Sequence, residues 1–519
     1  MTARTVVLGP LNRVEGDLEF RMVVEDGVIR DLHTEAVMFR GWEIILKDKD
    51  PWLPITVTPR ACGICGISHI MCAVKAVDSA SGNGLQGTDL PPQALLVRNI
   101  IAATESYMSG MRHHWLLFAP DLCNPRYADS PYYPEILARL APLHGSSYRA
   151  SVAWSKKAVE VTAIFAGQQP HPAAIVPGGV TTSPGLQDIT KSLGIWRDVT
   201  EHFTENIVLR GSVERYLEID SWEAFQKWMG EGEHEDGDLG LFVKFALHHG
   251  LDKIGRGLDR FLSWPCYEYP SGTYWNPGGL YHGAWKYDGT YEPPGSNLKA
   301  FQGRVTEDIT HSYFEGTGAA HPWKGTTVPV QNVEPGVKHS WAKAPRFDGK
   351  PAEVGALARM LTRGDKLIRD MERKLGPSVF LRQFARIHEL IISTPVIADW
   401  LRQVDPRGPF YVPTPRKVAD GEYWGWHEAH RGALCHWVVY KDNKVVNYQI
   451  IAPTTWNVGP QDGADQYGAI ASACMDCPAD DLENPVEVFH ALRSFDPCLV
   501  CTVHVVDRDR TISRFRLSP

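Results

Sequence analysis

Two short cysteine motifs at opposite ends of the chain set the tightest limit on its fold. Arg60-Ala61-Cys62-Gly63-Ile64-Cys65-Gly66-Ile67-Ser68-His69 lies near the start, and Asp496-Pro497-Cys498-Leu499-Val500-Cys501-Thr502-Val503-His504 lies close to the end of the 519 residues. Thiols three positions apart can face one metal if the turn between them is tight, and Gly63 permits that turn. His69 follows Cys65 by four positions, so it lies on the same side if a helix begins there. The second motif repeats the thiol spacing and again has a histidine just downstream. Cys65 and Cys498 are 433 positions apart. If both pairs hold one centre, the two ends of the chain must meet in the core.

Taken alone, a Cys-x-x-Cys pair is as readily two buried thiols or half of a zinc site. Both pairs with their Gly, Pro and His neighbours form a much narrower pattern. A structural zinc draws four ligands from local spacing, whereas here a very long loop has to close. Soft thiolates also suit nickel and low-spin iron.

Hydrophobic residues make up 43% and charged residues 22%, which excludes wholesale disorder, a collagen or a coiled-coil rod. The net charge of -8 argues against nucleic acid or an anionic lipid surface as a partner. The start, MTARTVVLGP, lacks the basic-then-apolar pattern of a secretory signal, and no apolar run reaches about 18 residues. A cytoplasmic protein without its own membrane span, or one held peripherally at a membrane through a partner, is therefore expected. Ten cysteines in so long a chain are too sparse for a disulfide scaffold and suit metals or redox chemistry. Seventeen tryptophans and eighteen tyrosines imply large aromatic interior or interface surfaces.

Alternation over residues 4–37, with a turn at Asp26-Gly27, predicts a small antiparallel sheet. Ile67, Ile70, Met71, Val74 and Val77 form a helical stripe behind the first motif. Further helices are predicted at 91–118, 147–166, 187–208, 352–375, 378–403 and 485–494. Residues 264–345 read as irregular β-structure and loops, and 409–452 as strands. Length alone allows about three domains. Without repeats or linkers, a single α+β unit is expected instead: a central long-helix bundle with peripheral small sheets.

The two motifs resemble the cysteine signatures of the large, catalytic subunit of [NiFe] hydrogenases. The likeness runs through Asn12-Arg13-Val14-Glu15-Gly16, Phe39-Arg40-Gly41-Trp42-Glu43, His430-Arg431-Gly432-Ala433-Leu434 and Ala452-Pro453-Thr454-Thr455-Trp456-Asn457 in order. It spans nearly the whole chain. The related quinone-oxidoreductase subunit of respiratory complex I lacks the four cysteines present here, which weakens a reading as a metal-free structural subunit.

The resemblance implies the large-subunit fold over 1–504, with 505–519 as a tail removed by a maturation endopeptidase. It implies nickel on Cys62, Cys65, Cys498 and Cys501. Cys65 and Cys501 would bridge to an iron carrying one CO and two cyanides. Cys498 would be the first proton acceptor and Glu15 the relaying carboxylate. Arg431 would hang over the open metal position, held by Asp496. Thr454 would hydrogen-bond a cyanide and His69 a bridging thiolate. Glu43, the backbone oxygen of Ile450 and His504 would hold a magnesium. Ile64 and Phe118 align with gas-channel positions that are smaller in many relatives; ordinary core filling explains them equally well.

Asp17, His430 and Ser109-Gly110-Met111 depart from the family's usual residues, the last where a membrane-bound branch has His-Asp-His. His113 and His114 are expected to be packed or hydrogen-bonded rather than ligands, and Cys474 and Cys477 to be free thiols in preference to half of a structural metal site. The activity implied is hydrogen oxidation. Electrons would pass to a small subunit carrying the iron–sulfur clusters, since this chain keeps no cysteines in such a pattern, and then to a quinone such as menaquinone, in a higher oligomer of heterodimers. The likeness is greatest to the actinobacterial high-affinity uptake branch, group 2a. The alternative is a regulatory hydrogen sensor signalling to a kinase.

Overall fold

A computed structural model describes residues 4–82, 89–330 and 336–499. The strands Arg4–Leu8, Leu18–Glu25 and Val28–Ala36 pair antiparallel in that order, with Leu18 opposite Ala36. Leu18, Phe20, Met22 and Val24 alternate inward, as the sequence pattern requires. Asp26 and Gly27 both take positive φ, 50° and 76°, as a two-residue hairpin turn needs. A Cβ on Gly27 would lie 2.0 Å from Asp480 Oδ1, so the turn also requires glycine for space.

Four long helices form the central bundle: Pro92–Arg112, Ser146–Ala166, Leu186–Val199 and Val379–Gln403. The first ends earlier than its apolar pattern suggests, because the backbone widens into a π-helical turn over His113–Phe118. A second π-helical stretch, Thr200–Leu209, extends the third helix. The helix expected over 352–375 is two helices, Ala356–Arg363 and Lys366–Leu375. Gly364 closes the first at φ 82°, and the Asp365 carboxylate accepts from Ile368 N at 3.0 Å to cap the second. Pro395 does not end the Val379–Gln403 helix. Tyr133–Leu140, Trp222–Met229 and Asp238–His248 are helices that the sequence reading did not separate from loops.

A second sheet, Gly421–Ala429, Gly432–Lys441 and Lys444–Ile451, packs on the helix Gly66–Ala80. The approach is close: a Cβ on Gly425 would stand 1.9 Å from Cys72 O. Residues 264–345 hold short strands and turns, as expected. Among the described residues, no helix is long and apolar enough to cross a membrane.

The chain ends meet beside this sheet. Glu15 and Cys498 form a parallel bridge, with Leu499 N donating to Glu15 O at 2.5 Å and Glu15 N to Pro497 O at 3.4 Å. Arg493, on the helix Val486–Ser494, reinforces the junction. Its guanidinium donates to Asp121 Oδ2 at 2.6 Å, to Asn12 Oδ1 at 2.6 Å and to Asn12 O at 3.2 Å, and Arg13 also pairs with Asp121.

Arg493→Met should destabilise the protein by about 3–5 kcal/mol, the cost of breaking a buried ion pair from one side. Thermal melting checks this, with Arg493→Lys restoring part of the loss; a melt equal to wild type in Arg493→Met would show that the clamp adds nothing.

Candidate metal centre

Cys62 follows a short 3₁₀ turn, Thr58–Ala61, and Cys65 is the residue from which the helix Gly66–Ala80 starts. The N–H groups of Ile64 and Cys65 both point at Cys62 Sγ from 3.3 Å, so the tight turn cradles the first sulfur. Cys498 arrives from the other end of the chain. Its Sγ lies 3.5 Å from Cys62 Sγ, and the sulfurs of Cys62, Cys65 and Cys498 all lie within 4.8 Å of one another. All three are buried. Cys501 and His504 lie outside the described residues.

Arg431, at the turn between two strands, lies close enough to this group for all three cysteines to act on its charge. Its Nη2 is 3.0 Å from Asp496 Oδ1 and its Nε donates to Asp496 O at 3.0 Å, while Nη1 meets His430 Nε2 at 2.5 Å. Burial opposes the guanidinium charge, but Asp496 first, then Cys498, Cys62 and Cys65, outweigh it and hold Arg431 well above its ordinary pKa. Burial raises Asp496, against the pull of Arg431 and Arg386. Asp496 has a left-handed backbone, φ 55°, a conformation that costs a non-glycine residue about 1 kcal/mol and that the two Arg431 contacts hold in place.

Glu15 is half-buried; burial first, then the nearby Cys62, raises its pKa, while Arg431 and Arg40 pull it back. Thr454 Oγ1 accepts from Cys498 N at 2.8 Å. This satisfies a buried N–H and fixes the loop, leaving the hydroxyl proton free to donate elsewhere. His69 is fully buried, and its Nδ1 meets His436 Nε2 at 3.0 Å; His436 in turn meets Tyr448 OH at 2.8 Å. The other ring nitrogen of His69, Nε2, is buried without a hydrogen-bond partner, and burial lowers its pKa to about 4.

Glu43 is buried on a short helix, Trp42–Ile45. Its carboxylate accepts from Ile450 N at 2.9 Å, from Thr327 Oγ1 and from Lys343 Nζ at 3.3 Å. Glu307 lies 3.7 Å from the same ammonium. Burial raises Glu307 to about 7, with Lys343 opposing and Glu43 adding. Two buried carboxylates with one lysine supply hard oxygen donors and spare negative charge, the chemistry that suits magnesium.

Other expectations fall as follows. Ile64 packs partly buried against the cysteine group, and Phe118 is fully buried beside His114, Phe242 and His490. His113 meets Arg493 O at 2.8 Å and His114 meets Gln383 Oε1 at 3.3 Å. Cys474 and Cys477 are buried, and burial raises both thiols.

The sequence reading missed Glu105. Its carboxylate accepts from Ile67 N at 2.9 Å, Ser68 N at 3.1 Å and Ser68 Oγ at 2.8 Å, and so anchors the first turn of the helix that begins at Cys65. Burial pushes it to about 7 against those bonds. The one signal for it was an acid in a helix otherwise apolar around Ile100, Ile101, Tyr107 and Met108.

Three soft sulfur donors, an unpartnered imidazole nitrogen and a fixed guanidinium close by fit a thiolate-bound transition metal. Comparison with known proteins agrees. A family model described as nickel-dependent hydrogenase matches residues 40–130 and 243–504. A periplasmic [NiFeSe] hydrogenase large subunit from Desulfomicrobium baculatum is 28% identical, covering 96% of this chain and 95% of its own. A quinone-reactive Ni/Fe-hydrogenase large chain from Wolinella succinogenes is 26% identical, covering 100% and 99%. The crystal structure of a reduced, active Ni-Fe-Se hydrogenase from Desulfomicrobium baculatum superposes with a TM-score of 0.81 at 28% identity, covering 96% of this chain and 100% of that one. The chain is an enzyme that belongs to the nickel-dependent hydrogenase family, among its large subunits.

Proposed function

We propose that this chain is the catalytic large subunit of an uptake hydrogenase of the group 2a kind, oxidising dihydrogen to two protons and two electrons. The observation that carries the reading is the convergence of Cys62, Cys65 and Cys498 beside Arg431. Cys62, Cys65, Cys498 and Cys501 would hold nickel. Cys65 and Cys501 would share an iron bearing CO and two cyanides. When bound, this group supplies the heterolytic splitting of dihydrogen.

The chain's own residues set the conditions for that chemistry. Arg431 keeps a positive charge close to the sulfurs, and Asp496 aims it through a two-point grip. Arg386, buried nearby, adds to the positive potential that opposes the thiolate charge. The proton leaves through Cys498 Sγ to Glu15, whose backbone is paired with Cys498. Glu15 is only partly buried, so it can hand the proton outward. Glu43, Ile450 O and His504 would bind magnesium below the site.

A surface cleft of about 520 Å³ is bordered by Trp52, Arg60, Gln168, His171 and Arg416. His171 stands against Gly66, where a Cβ would meet its Nδ1 at 3.0 Å. We place the iron–sulfur small subunit here, because electrons then leave next to the sulfurs. Their onward acceptor is a quinone, in keeping with the quinone-reactive relative. Removal of residues 505–519 by a maturation protease completes the subunit.

Purified with its small subunit, the protein should contain nickel and show infrared bands of CO and cyanide; zinc without such bands would overturn the reading. High turnover with an artificial acceptor marks an uptake enzyme, and trace turnover with tight kinase binding marks the sensor.

Glu15→Gln should retain the metals while lowering hydrogen oxidation by at least about 10²-fold, the usual share of a proton-transfer group. Hydrogen–deuterium exchange measured alongside must fall too; unchanged rates would remove Glu15 from the proton route.

Thr454→Val strands the Cys498 N–H and should cost about 1–3 kcal/mol of stability. Calorimetry and nickel content check it, and a variant with native values for both would show that Thr454 does not hold the loop.

Replacing Ile64 with Val and Phe118 with Leu should increase oxygen inhibition of hydrogen oxidation. Equal inhibition would leave both as packing residues.

A further inference from the structure

The turn that carries Arg431 is held from behind by a second arginine. Ala429 pairs with Gly432 across the hairpin, so His430 and Arg431 are its two loop residues. Two-residue loops that match the twist of their strands need positive φ at the first loop position or at both. Neither His430 nor Arg431 has a positive φ. The turn therefore takes its shape from what surrounds it as much as from its own backbone.

Arg359, on the helix Ala356–Arg363, supplies that support. It is buried, and its guanidinium engages all five of its N–H donors. Nη1 donates to Ala429 O at 2.7 Å and Nη2 to His430 O at 2.9 Å, the two carbonyls immediately before Arg431. The other three donors go to carboxylates. Nε and Nη2 form a two-point pairing with Glu389, both bonds at 2.6 Å, and Nη1 reaches Glu428 Oε2 at 3.2 Å. Glu428 Oε1 accepts in turn from Trp264 N at 2.6 Å. A lysine in this place would offer a compact ammonium with no planar fork, and could not reach the same set of acceptors.

The start of the same helix packs on the turn. A Cβ on Gly432 would stand 2.7 Å from Gly355 N, and one on Gly355 would stand 3.6 Å from Arg431 O. Asp496 and the His430 ring hold the head of the Arg431 side chain. Arg359 holds the backbone at its root. Glu389 and Glu428 face the Arg359 guanidinium and offset its charge, so what it passes to the metal centre is direction.

We propose that Arg359 is a positioning residue for hydrogen splitting, fixing the Ala429 and His430 carbonyls and with them the Arg431 guanidinium. The proposal rests on the functional reading given above.

The test compares the nickel-loaded heteromer as wild type, Arg359→Lys, Arg431→Lys and the double variant. Arg359→Lys should lower kcat for hydrogen oxidation by about 10²-fold, the effect of misplacing a group at the reacting site by about 1 Å, with KM for hydrogen within about twofold. Added to Arg431→Lys, it should lower kcat by less than about twofold more, because both changes remove one interaction. A crystal structure of Arg359→Lys should show the Arg431 guanidinium displaced from Asp496, with nickel content equal to wild type. Glu389→Gln, at a partly exposed position, loosens the same fork and keeps the test open if Arg359→Lys does not fold. It should lower kcat by about tenfold, with the same lack of additivity. Losses that multiply in the double variant, a kcat equal to wild type, or an unmoved Arg431 in the variant crystal would overturn the proposal. Wild type without nickel and without CO and cyanide bands would instead overturn the functional reading, and the place of Arg431 in the variant crystal would still decide the positioning role.

Discussion

The whole structure is organised around bringing sulfur atoms from opposite ends of the chain to one buried point. Closing so long a loop costs conformational entropy, and burying several thiolates together costs more. Both costs are met locally. The Glu15–Cys498 bridge joins the termini by main-chain bonds. Arg493 locks the joint from one side through Asn12 and Asp121, and Thr454 from the other through the Cys498 N–H. Glu105 sets the start of the helix that delivers Cys65. None of these contacts touches a sulfur, yet each fixes where one can be.

Charge is the second consequence of that convergence. Burial would strip the arginines near the centre of their charge if they stood alone, and it does lower Arg386 to about 10. Arg431 goes the other way because Asp496 and three cysteines lie close to it. The same buried setting holds His69 neutral while Glu105, without a cation among its contacts, rises to about 7. A buried cation paired with Asp496 beside the three sulfurs, with the neutral His69 behind them, makes this a strongly polarised interior.

What was legible in the sequence is what short spacing encodes. The first cysteine pair, the hairpin at Asp26-Gly27 and the stripe behind Cys65 each depend on neighbours a few positions away, and each stands where the pattern put it, with Cys498 of the second pair beside the first. Glu105, His436 and Lys343 were not legible, because their partners Ser68, His69 and Glu43 lie 37, 367 and 300 positions away. The split at Gly364-Asp365 was missed for another reason. The apolar stripe continues across it, so only the glycine and the capping carboxylate mark the break. The early end of the Pro92–Arg112 helix leaves no compositional mark, since a π turn differs by one inserted residue per turn rather than by residue type.

That π turn has a structural use. It sits where His113, His114 and Phe118 all turn inward within six residues; a regular α-helix would spread them over about 140° of its circumference, and the wider turn narrows that arc. With the backbone widened, His113 reaches the Arg493 carbonyl, and His114 and Phe118 stack with ring centroids 6.1 Å apart. Arg493 therefore joins Asn12 near the start of the chain, the last helix and this turn. Ile64 stands against the sulfurs from the opposite motif. The size of the two apolar residues is thus set by different constraints: Ile64 by the turn between two cysteines, Phe118 by an aromatic stack that also supports the C-terminal joint. Changing Phe118 alters that support as well as any passage it borders, whereas Ile64 can change size while the cysteine turn keeps its backbone bonds.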